Sequence, residues 1–302
     1  MSEVGEENNS VVETLSCCAC CGIAEVDDIK LKPCDDCDLV RYCSDECKNN
    51  HKPEHEEACK KRTTELREEL LFKQPEGSHL GDCPICCLPL PLFDGAKSYQ
   101  CCSKKICNGC AHANDKRQVE MRRQYACPFC RELTPFSAQE RDRQRMKRIE
   151  ANDPEAMCME GMKQHQKGKY RKAFKFYTMA AELGNADAHS RLADLYHNGE
   201  GVEKDKEKYL YHLEEASIGG HPHARCNLGG AEWNSGDKER AVKHWIIAAR
   251  QGEDKAIKVL MDAFRKGSVE KEVLAAAFRA HKAAVDATKS PQREVAEETV
   301  SK

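Results

Sequence analysis

The chain has 302 residues, of which 33% are charged and only 6% are aromatic. Little apolar bulk is available per residue, which excludes one large sheet core and favours small modules or stacked helices. The formal net charge of −3 gives no support to nucleic-acid binding, and the absence of a stretch of about 18 apolar residues argues against a membrane partner.

The cysteines are concentrated in one half of the chain. Eighteen of the twenty lie between Cys17 and Cys130. The acidic, polar start MSEVGEENNS is unlike a secretory signal peptide, so residues 1–16 are expected to be disordered and the protein to be cytoplasmic or nuclear. In such reducing compartments clustered cysteines usually bind metal. We therefore expect metal-binding modules first, and Cys158 and Cys226 to be buried or incidental thiols.

Residues 17–59 contain four closely spaced pairs of metal-binding side chains, enough for two zinc ions. A two-residue spacer lets both sulfurs of a pair face one ion across a tight turn, and each tetrahedral site needs two such pairs. The eight predicted ligands are Cys18, Cys21, Cys34, Cys37, Cys43, Cys47, His55 and Cys59.

The order and spacing of these ligands resemble the MYND zinc finger, including Tyr42 before the fifth ligand. The resemblance implies interleaved sites, in which Cys18, Cys21, Cys43 and Cys47 hold one zinc ion and Cys34, Cys37, His55 and Cys59 hold the other. It also implies binding of short proline-containing peptides. Lys52 departs from the pattern, because the family usually has tryptophan at that position.

Two reading frames fit the first pair of this module. Either Cys17 with Cys20 or Cys18 with Cys21 forms a C-x-x-C. The resemblance favours the second frame, because MYND fingers commonly place glycine after the second ligand and Gly22 stands there. Glycine permits the positive φ that such a turn often needs.

Residues 60–81 are predicted to form a helical linker that ends near Pro75 and Gly77, and residues 82–132 form a second cysteine-rich segment. Its layout resembles a RING finger of the variety with eight cysteines. The resemblance predicts two more zinc sites, four ions in all. The first would use Cys83, Cys86, Cys107 and Cys110, and the second Cys101, Cys102, Cys127 and Cys130.

One position departs from the RING pattern. Lys104 stands where the fourth ligand is usually a histidine, and a protonated lysine cannot bind zinc. Either Cys102 or His112 must supply the fourth ligand.

RING fingers that act as ubiquitin ligases hold a ubiquitin-charged conjugating enzyme without covalent chemistry of their own. By resemblance, Ile85 inside the first pair and Pro128 inside the last would form the docking groove for that enzyme. Arg131, directly after the last ligand, would donate hydrogen bonds to ubiquitin and to the enzyme. These three residues are the predicted contacts with the conjugating enzyme and ubiquitin.

After a helical connector over residues 133–152, helical repeats are predicted over residues 153–285. Five small or aromatic residues of one helix recur 68 residues later, in Ala241, Trp245, Ala248, Ala249 and Gly252. The units resemble Sel1-like repeats, relatives of the tetratricopeptide class, which implies a solenoid whose concave face binds a peptide or protein. Residues 286–302 are a polar tail that is expected to fray.

The predicted fold class is therefore small zinc-stabilised cross-brace modules, MYND-like and RING-like, followed by an all-α Sel1-like repeat solenoid. Two functions fit this organisation. The first is a RING-type ubiquitin-ligase adaptor that binds its substrate through the repeats. The second is a scaffold without catalytic function.

Overall fold

A computed structural model describes residues 17–92 and 95–300, so the predicted disordered N-terminus over residues 1–16 lies outside the described residues. The chain divides into two compact units at Leu71 and Phe72, and each is described by itself. In the described part of the chain, no helix is both long enough and apolar enough to span a membrane.

The first unit is the first zinc module, residues 17–59, extended by a long helix. Two short antiparallel strands, β1 (Lys32–Pro33) and β2 (Arg41–Tyr42), pair before helix α1 (Asp45–Phe72). The last three ligands of the module, Cys47, His55 and Cys59, all lie on α1. The helix therefore runs without a break from the metal ligands into the predicted linker.

The second zinc module, residues 82–132, opens the second unit. An antiparallel hairpin of β3 (Ala96–Tyr99) and β4 (Lys104–Cys107) leads directly into helix α2 (Asn108–Glu120). The small core of this module consists mostly of the cysteines themselves together with Leu90, Tyr99 and Ile106. Since so few apolar side chains are buried, metal ligation must supply much of the stability of this module.

Helix α3 (Ala138–Glu150) connects the second zinc module to the repeats and begins with a capping box formed by Ser137 and Glu140. Four helical hairpins follow. Their helices are α4 (Pro154–Gln166), α5 (Tyr170–Glu182), α6 (Ala186–Asn198), α7 (Lys206–Ile218), α8 (Pro222–Ser235), α9 (Lys238–Arg250), α10 (Asp254–Arg265) and α11 (Lys271–Ala287).

Successive hairpins are joined by the same tight connection. Gly184, Gly220 and Gly252 all adopt a positive φ, which ends one helix, and the next residue accepts a hydrogen bond that starts the following helix. Those capping residues are Asn185, His221 and Glu253. Because each connection is so short, neighbouring helices must lie side by side, as the predicted solenoid requires.

The same contact between a glycine and an aromatic ring occurs in two hairpins that lie 68 residues apart in the sequence. Gly161 on α4 lies against the ring of Tyr177, and 68 residues later Gly229 on α8 lies against the ring of Trp245. A Cβ atom at Gly229 would be 2.7 Å from Trp245 Nε1, so only glycine fits there. The indole N–H donates to the carbonyl oxygen of Cys226 at 3.1 Å. A large ring thus fills the space that a missing side chain leaves.

The tail differs from the sequence-based expectation. Instead of fraying, its residues form helix α12 (Pro291–Val300), which packs against α2 of the second zinc module. Arg293 and Ala296 are buried on this face, and α12 approaches Gly109 so closely that a Cβ there would be 2.9 Å from the backbone nitrogen of Arg293. Composition predicts a polar tail correctly, but it misses the buried Arg293 and Ala296 on the helix that packs against α2.

Candidate metal centres

The structure brings together four groups of four side chains, each with its ligand atoms within 4.8 Å of one another. In the first zinc module the groups are Cys18, Cys21, Cys43 and Cys47, and Cys34, Cys37, His55 and Cys59. In the second they are Cys83, Cys86, Cys107 and Cys110, and Cys101, Cys102, Cys127 and Cys130. Within each module the pairs alternate between the two groups along the chain, which is the cross-brace arrangement.

The distances between ligand atoms fit zinc. A tetrahedral ion with Zn–S bonds near 2.3 Å separates its sulfurs by about 3.8 Å. The structure has 3.6 Å between the sulfurs of Cys21 and Cys43 and 3.8 Å between those of Cys86 and Cys107. Cys37 Sγ lies 3.2 Å from His55 Nε2. Donor sets of four thiols, or three thiols and one imidazole, are those of structural zinc sites, so the four groups fit four zinc ions.

Four of the C-x-x-C turns share one backbone geometry. The residue after the second cysteine adopts a positive φ and donates its N–H to the carbonyl oxygen of the first cysteine of that turn. These residues are Gly22, Asp38, Cys87 and Arg131. Each turn therefore aims both sulfurs at one point, which explains why a two-residue spacer is so reliable a sign of a metal site.

This geometry separates the two possible frames at the start of the first zinc module. The turn closes between Gly22 N and Cys18 O at 2.9 Å, and it places Cys18 and Cys21 in the metal group. Cys17 and Cys20 are exposed. The Cys20 thiol still lies near Cys47, and partial desolvation together with that neighbouring thiol raises the pKa of Cys20.

Backbone amides favour the thiolate form in both modules. Burial alone would raise the pKa of Cys18, but hydrogen bonds from the amides of Cys21 and Cys43 outweigh it and lower the pKa to about 6. In the second module, burial of Cys83 is similarly outweighed by backbone amides, first that of Cys107, and its pKa also falls to about 6. Thiolates are the metal-binding form, so these amides prepare the sites for a cation.

The unusual ligand position of the second module is filled by cysteine. Cys102 joins the group, whereas His112 lies on α2 outside it. Ser103 follows with a φ of 56°, so the chain turns sharply after the adjacent cysteines. Nζ of Lys104 lies 4.8 Å from the ring centroid of Phe129. A cation–π contact thus replaces metal ligation at this position.

The predicted contact residues are placed on the surface of the second module. Ile85 is 46% exposed and Arg131 is also exposed, whereas Pro128 is half-buried. Ile85 lies within the first C-x-x-C turn and Pro128 within the last, so the turns that hold the metal also fix the positions of these two side chains.

Arg293 is a partner of the metal site that sequence reasoning missed. Its guanidinium donates to the carbonyl oxygen of Pro89 at 2.7 Å and of Leu88 at 3.2 Å, and it lies 3.4 Å from Cys86 Sγ. A cation beside a four-thiolate zinc site offsets part of the negative charge of that site. No local pattern could have revealed the contact, because 207 residues separate Arg293 from Cys86.

A further cluster, His79, Asp187 and His221, is explained by hydrogen bonding between the linker and the repeats. His221 Nδ1 accepts the Ala224 N–H as a helix cap, which leaves its Nε2 3.4 Å from Asp187 Oδ1. His79 Nε2 lies 3.1 Å from the same oxygen. Burial would raise the pKa of Asp187, but the two imidazoles hold it far below its usual range.

The two cysteines outside the modules are buried, as the sequence analysis predicted. Burial raises the pKa of Cys226 to about 12, and it also raises the pKa of Cys158. Both thiols are therefore protonated and unreactive at neutral pH.

Comparison with known protein families agrees with the two kinds of module. The MYND finger model matches residues 18–59, and the Sel1 repeat model matches residues 156–185, 186–221 and 223–253. These segments correspond to the first zinc module and to three of the four helical hairpins.

Solved structures with Sel1-type folds are also similar to the chain. A Sel1 repeat protein from Oxalobacter formigenes is 21% identical, covering 50% of this chain and 67% of its own, with a TM-score of 0.43. A protective antigen of uropathogenic Escherichia coli strains that displays an SLR fold is 25% identical, with a TM-score of 0.44. That match covers 49% of this chain and 34% of the antigen. No curated protein sequence matches.

The metal groups and the family matches together define a class of protein. It combines zinc fingers, one of them a MYND finger, with a solenoid of Sel1 repeats. Because Sel1 repeats typically mediate protein–protein interaction, the molecule is a zinc-finger and repeat scaffold for binding other proteins.

Proposed function

We propose that this scaffold acts as a RING-type ubiquitin-ligase adaptor. In this proposal the second zinc module recruits a ubiquitin-charged conjugating enzyme, while the repeats and the first zinc module hold the substrate. The adaptor performs no covalent chemistry of its own. It raises the rate of transfer by holding the thioester of the enzyme close to a substrate lysine.

The observation that carries the proposal is the surface of the interleaved second module. Its two metal groups alternate along the chain, as in a RING finger, and its turns present Ile85 and Arg131 to solvent. Ile85 lies within the first C-x-x-C turn, so an apolar side chain is presented to solvent next to a metal group. The planar guanidinium of Arg131 offers several donors for a bridge between two proteins.

Autoubiquitination assays with a panel of conjugating enzymes test the proposal. We expect Ile85→Ala and Arg131→Ala to abolish ladder formation at unchanged zinc content. Ile23→Ala is a matched control, because Ile23 in the first zinc module is also 46% exposed. Arg122→Ala is the control for the arginine, because Arg122 is exposed and has a positive φ of 51° like Arg131 at 61°. Both controls should keep wild-type activity.

The alternative is a scaffold that has lost recruitment, which the lysine at the usual histidine position favours. No ladder with any conjugating enzyme, from protein that carries four zinc ions, would establish that alternative. Equal loss of activity in the test and control variants would also refute the assigned roles of Ile85 and Arg131. A cytoplasmic or nuclear location belongs to the proposal, because those compartments keep clustered thiols reduced and free to bind metal.

A further inference from the structure

The repeats contain a groove of about 650 Å³ along the side formed by α6, α8 and α10. Trp245 and Cys226 are buried at its floor, and Tyr196, Tyr209 and Val259 contribute apolar walls. Gly230 on α8 faces the open space, since a Cβ built there would meet nothing within 4 Å. The groove therefore has an apolar floor and room for a ligand above one glycine.

The rim of the groove is basic. Lys204, Lys206 and Lys255 line it, and Asp205 is the one carboxylate among its lining residues. Asp205 caps α7 through the N–H of Lys208 and pairs with the Lys208 ammonium at 3.3 Å, so its charge is already compensated. Among the residues that the structure describes, none of the three rim lysines is paired with a carboxylate.

The loop that carries two rim residues is held in place. Its sequence, GEGVEKD over residues 199–205, is longer than the other connections between the repeat helices α4 to α11. Gly201 lies against the backbone of Tyr170, where a Cβ would be 2.7 Å from the carbonyl carbon. Val202 packs onto the core of the first two hairpins, and Asp205 N donates to Tyr196 O at 3.2 Å. These contacts fix the loop in the absence of a ligand, so Lys204 already stands at the rim.

Lys255 is oriented from the opposite side. Its ammonium donates to the side-chain oxygen of Asn227 at 2.8 Å, which turns it toward the groove while leaving two of its three N–H donors for a ligand. Positive charge thus faces the groove from the loop and from α10, above an apolar floor.

We propose that this basic groove binds an extended peptide segment in which acidic side chains alternate with apolar ones. Acidic groups would pair with the rim lysines while apolar groups would rest on Tyr196, Tyr209 and Val259. The inference rests on the interaction role of the repeats and deepens the proposed function by naming the chemistry of the segment held there. It does not depend on ligase activity, since a scaffold could use the same groove.

Fluorescence anisotropy on the full zinc-loaded chain tests this inference without any conjugating enzyme. The probe is a fluorescein-labelled peptide that alternates glutamate with leucine, compared with its glutamine counterpart. We expect binding of the glutamate peptide that weakens with salt, and at least about tenfold weaker binding of the glutamine peptide. Lys255→Glu should weaken binding by about tenfold or more, because it reverses one charge at the rim.

Two further variants separate the groove from general charge. Lys258→Glu makes the same charge change on the same helix, at an exposed residue outside the groove lining, and should bind normally. Gly230→Leu places an apolar side chain in the groove from a position where a Cβ meets nothing within 4 Å, and it should block binding while the free energy of unfolding is unchanged or higher.

Equal binding of both peptides, equal effects of the two lysine variants, or normal binding by Gly230→Leu would overturn the inference. So would preferential binding of a single-stranded oligonucleotide of similar charge. A failed ubiquitination assay with intact peptide binding would instead refute only the ligase proposal.

Discussion

The two adjacent glycines of α8 give the sharpest test of how the repeats pack. A Cβ atom added to Gly229 would lie 2.7 Å from Trp245 Nε1 and 2.9 Å from Ala241 O, whereas Gly230 faces open space. Replacing a helical glycine with alanine stabilises a helix by about 1 kcal/mol when there is room. We therefore expect Gly230→Ala to raise the free energy of unfolding by about 1 kcal/mol.

Gly229→Ala should have the opposite effect. A methyl group forced into a packed site costs about 1–3 kcal/mol, and displacing the indole also weakens its hydrogen bond to Cys226 O, worth about 1 kcal/mol. After the helix gain is subtracted, the loss is about 1–3 kcal/mol. The two variants should therefore differ by about 2–4 kcal/mol, although they change the same residue type one position apart.

Urea denaturation followed by tryptophan fluorescence measures this difference. The chain has two tryptophans, and both lie in this hairpin, Trp233 on α8 and Trp245 on α9. The signal therefore reports the hairpin itself, and zinc is kept saturating so that the modules stay folded. Equal stability of Gly229→Ala and Gly230→Ala would refute the reasoning, because it would mean that the ring does not need the space.

Three further predictions concern zinc, the C-terminal helix and pH. Chelation should unfold residues 17–131 while the repeats stay helical, because structural zinc contributes about 10–16 kcal/mol per site in small domains. Limited proteolysis with mass spectrometry should then find a resistant repeat fragment. Full protection of the whole chain would contradict this prediction. Arg293→Ala should speed zinc loss from the second module to a chelator, because the carbonyl oxygens of Leu88 and Pro89 lose their donor and Cys86 Sγ loses the neighbouring cation. Its exposed neighbour Gln292 provides the control, since Gln292→Ala should leave the rate unchanged, and equal rates for the two variants would contradict the role of Arg293. Burial lowers the pKa of His212 to about 4, and the nearby His189 and Lys208 add to this effect. Because the unfolded pKa is about 6.5, the neutral ring contributes its full stability above that pH. This stability is lost as the pH falls toward 4. Between about pH 7 and pH 5 the free energy of unfolding of the wild type should fall by about 1–2 kcal/mol more than that of His212→Gln, which lacks this titration. The figure allows for solvent screening of the half-buried ring. Parallel pH profiles of the two proteins would contradict the prediction.

The metal ligands could be read from the sequence because their geometry is local. Four of the C-x-x-C pairs close their own turns by a backbone hydrogen bond, as between Cys83 O and Cys87 N at 2.8 Å, so spacing alone determines that both sulfurs face one point. The repeats could be read for a related reason. The 68-residue period carries Tyr177 into Trp245 and Gly161 into Gly229, and each ring packs within its own hairpin.

Contacts between distant segments were decided only by the tertiary structure. Arg293 reaches Cys86 across 207 residues, and His79 reaches Asp187 across 108. Neither arginine nor histidine carries a local pattern that names its partner, and a short polar helix such as α12 is stable only when packed. Composition therefore described the tail as polar, while docking onto the second zinc module made it a helix. The basic groove has the same origin, because Lys204 and Lys255 come together only after the hairpins stack.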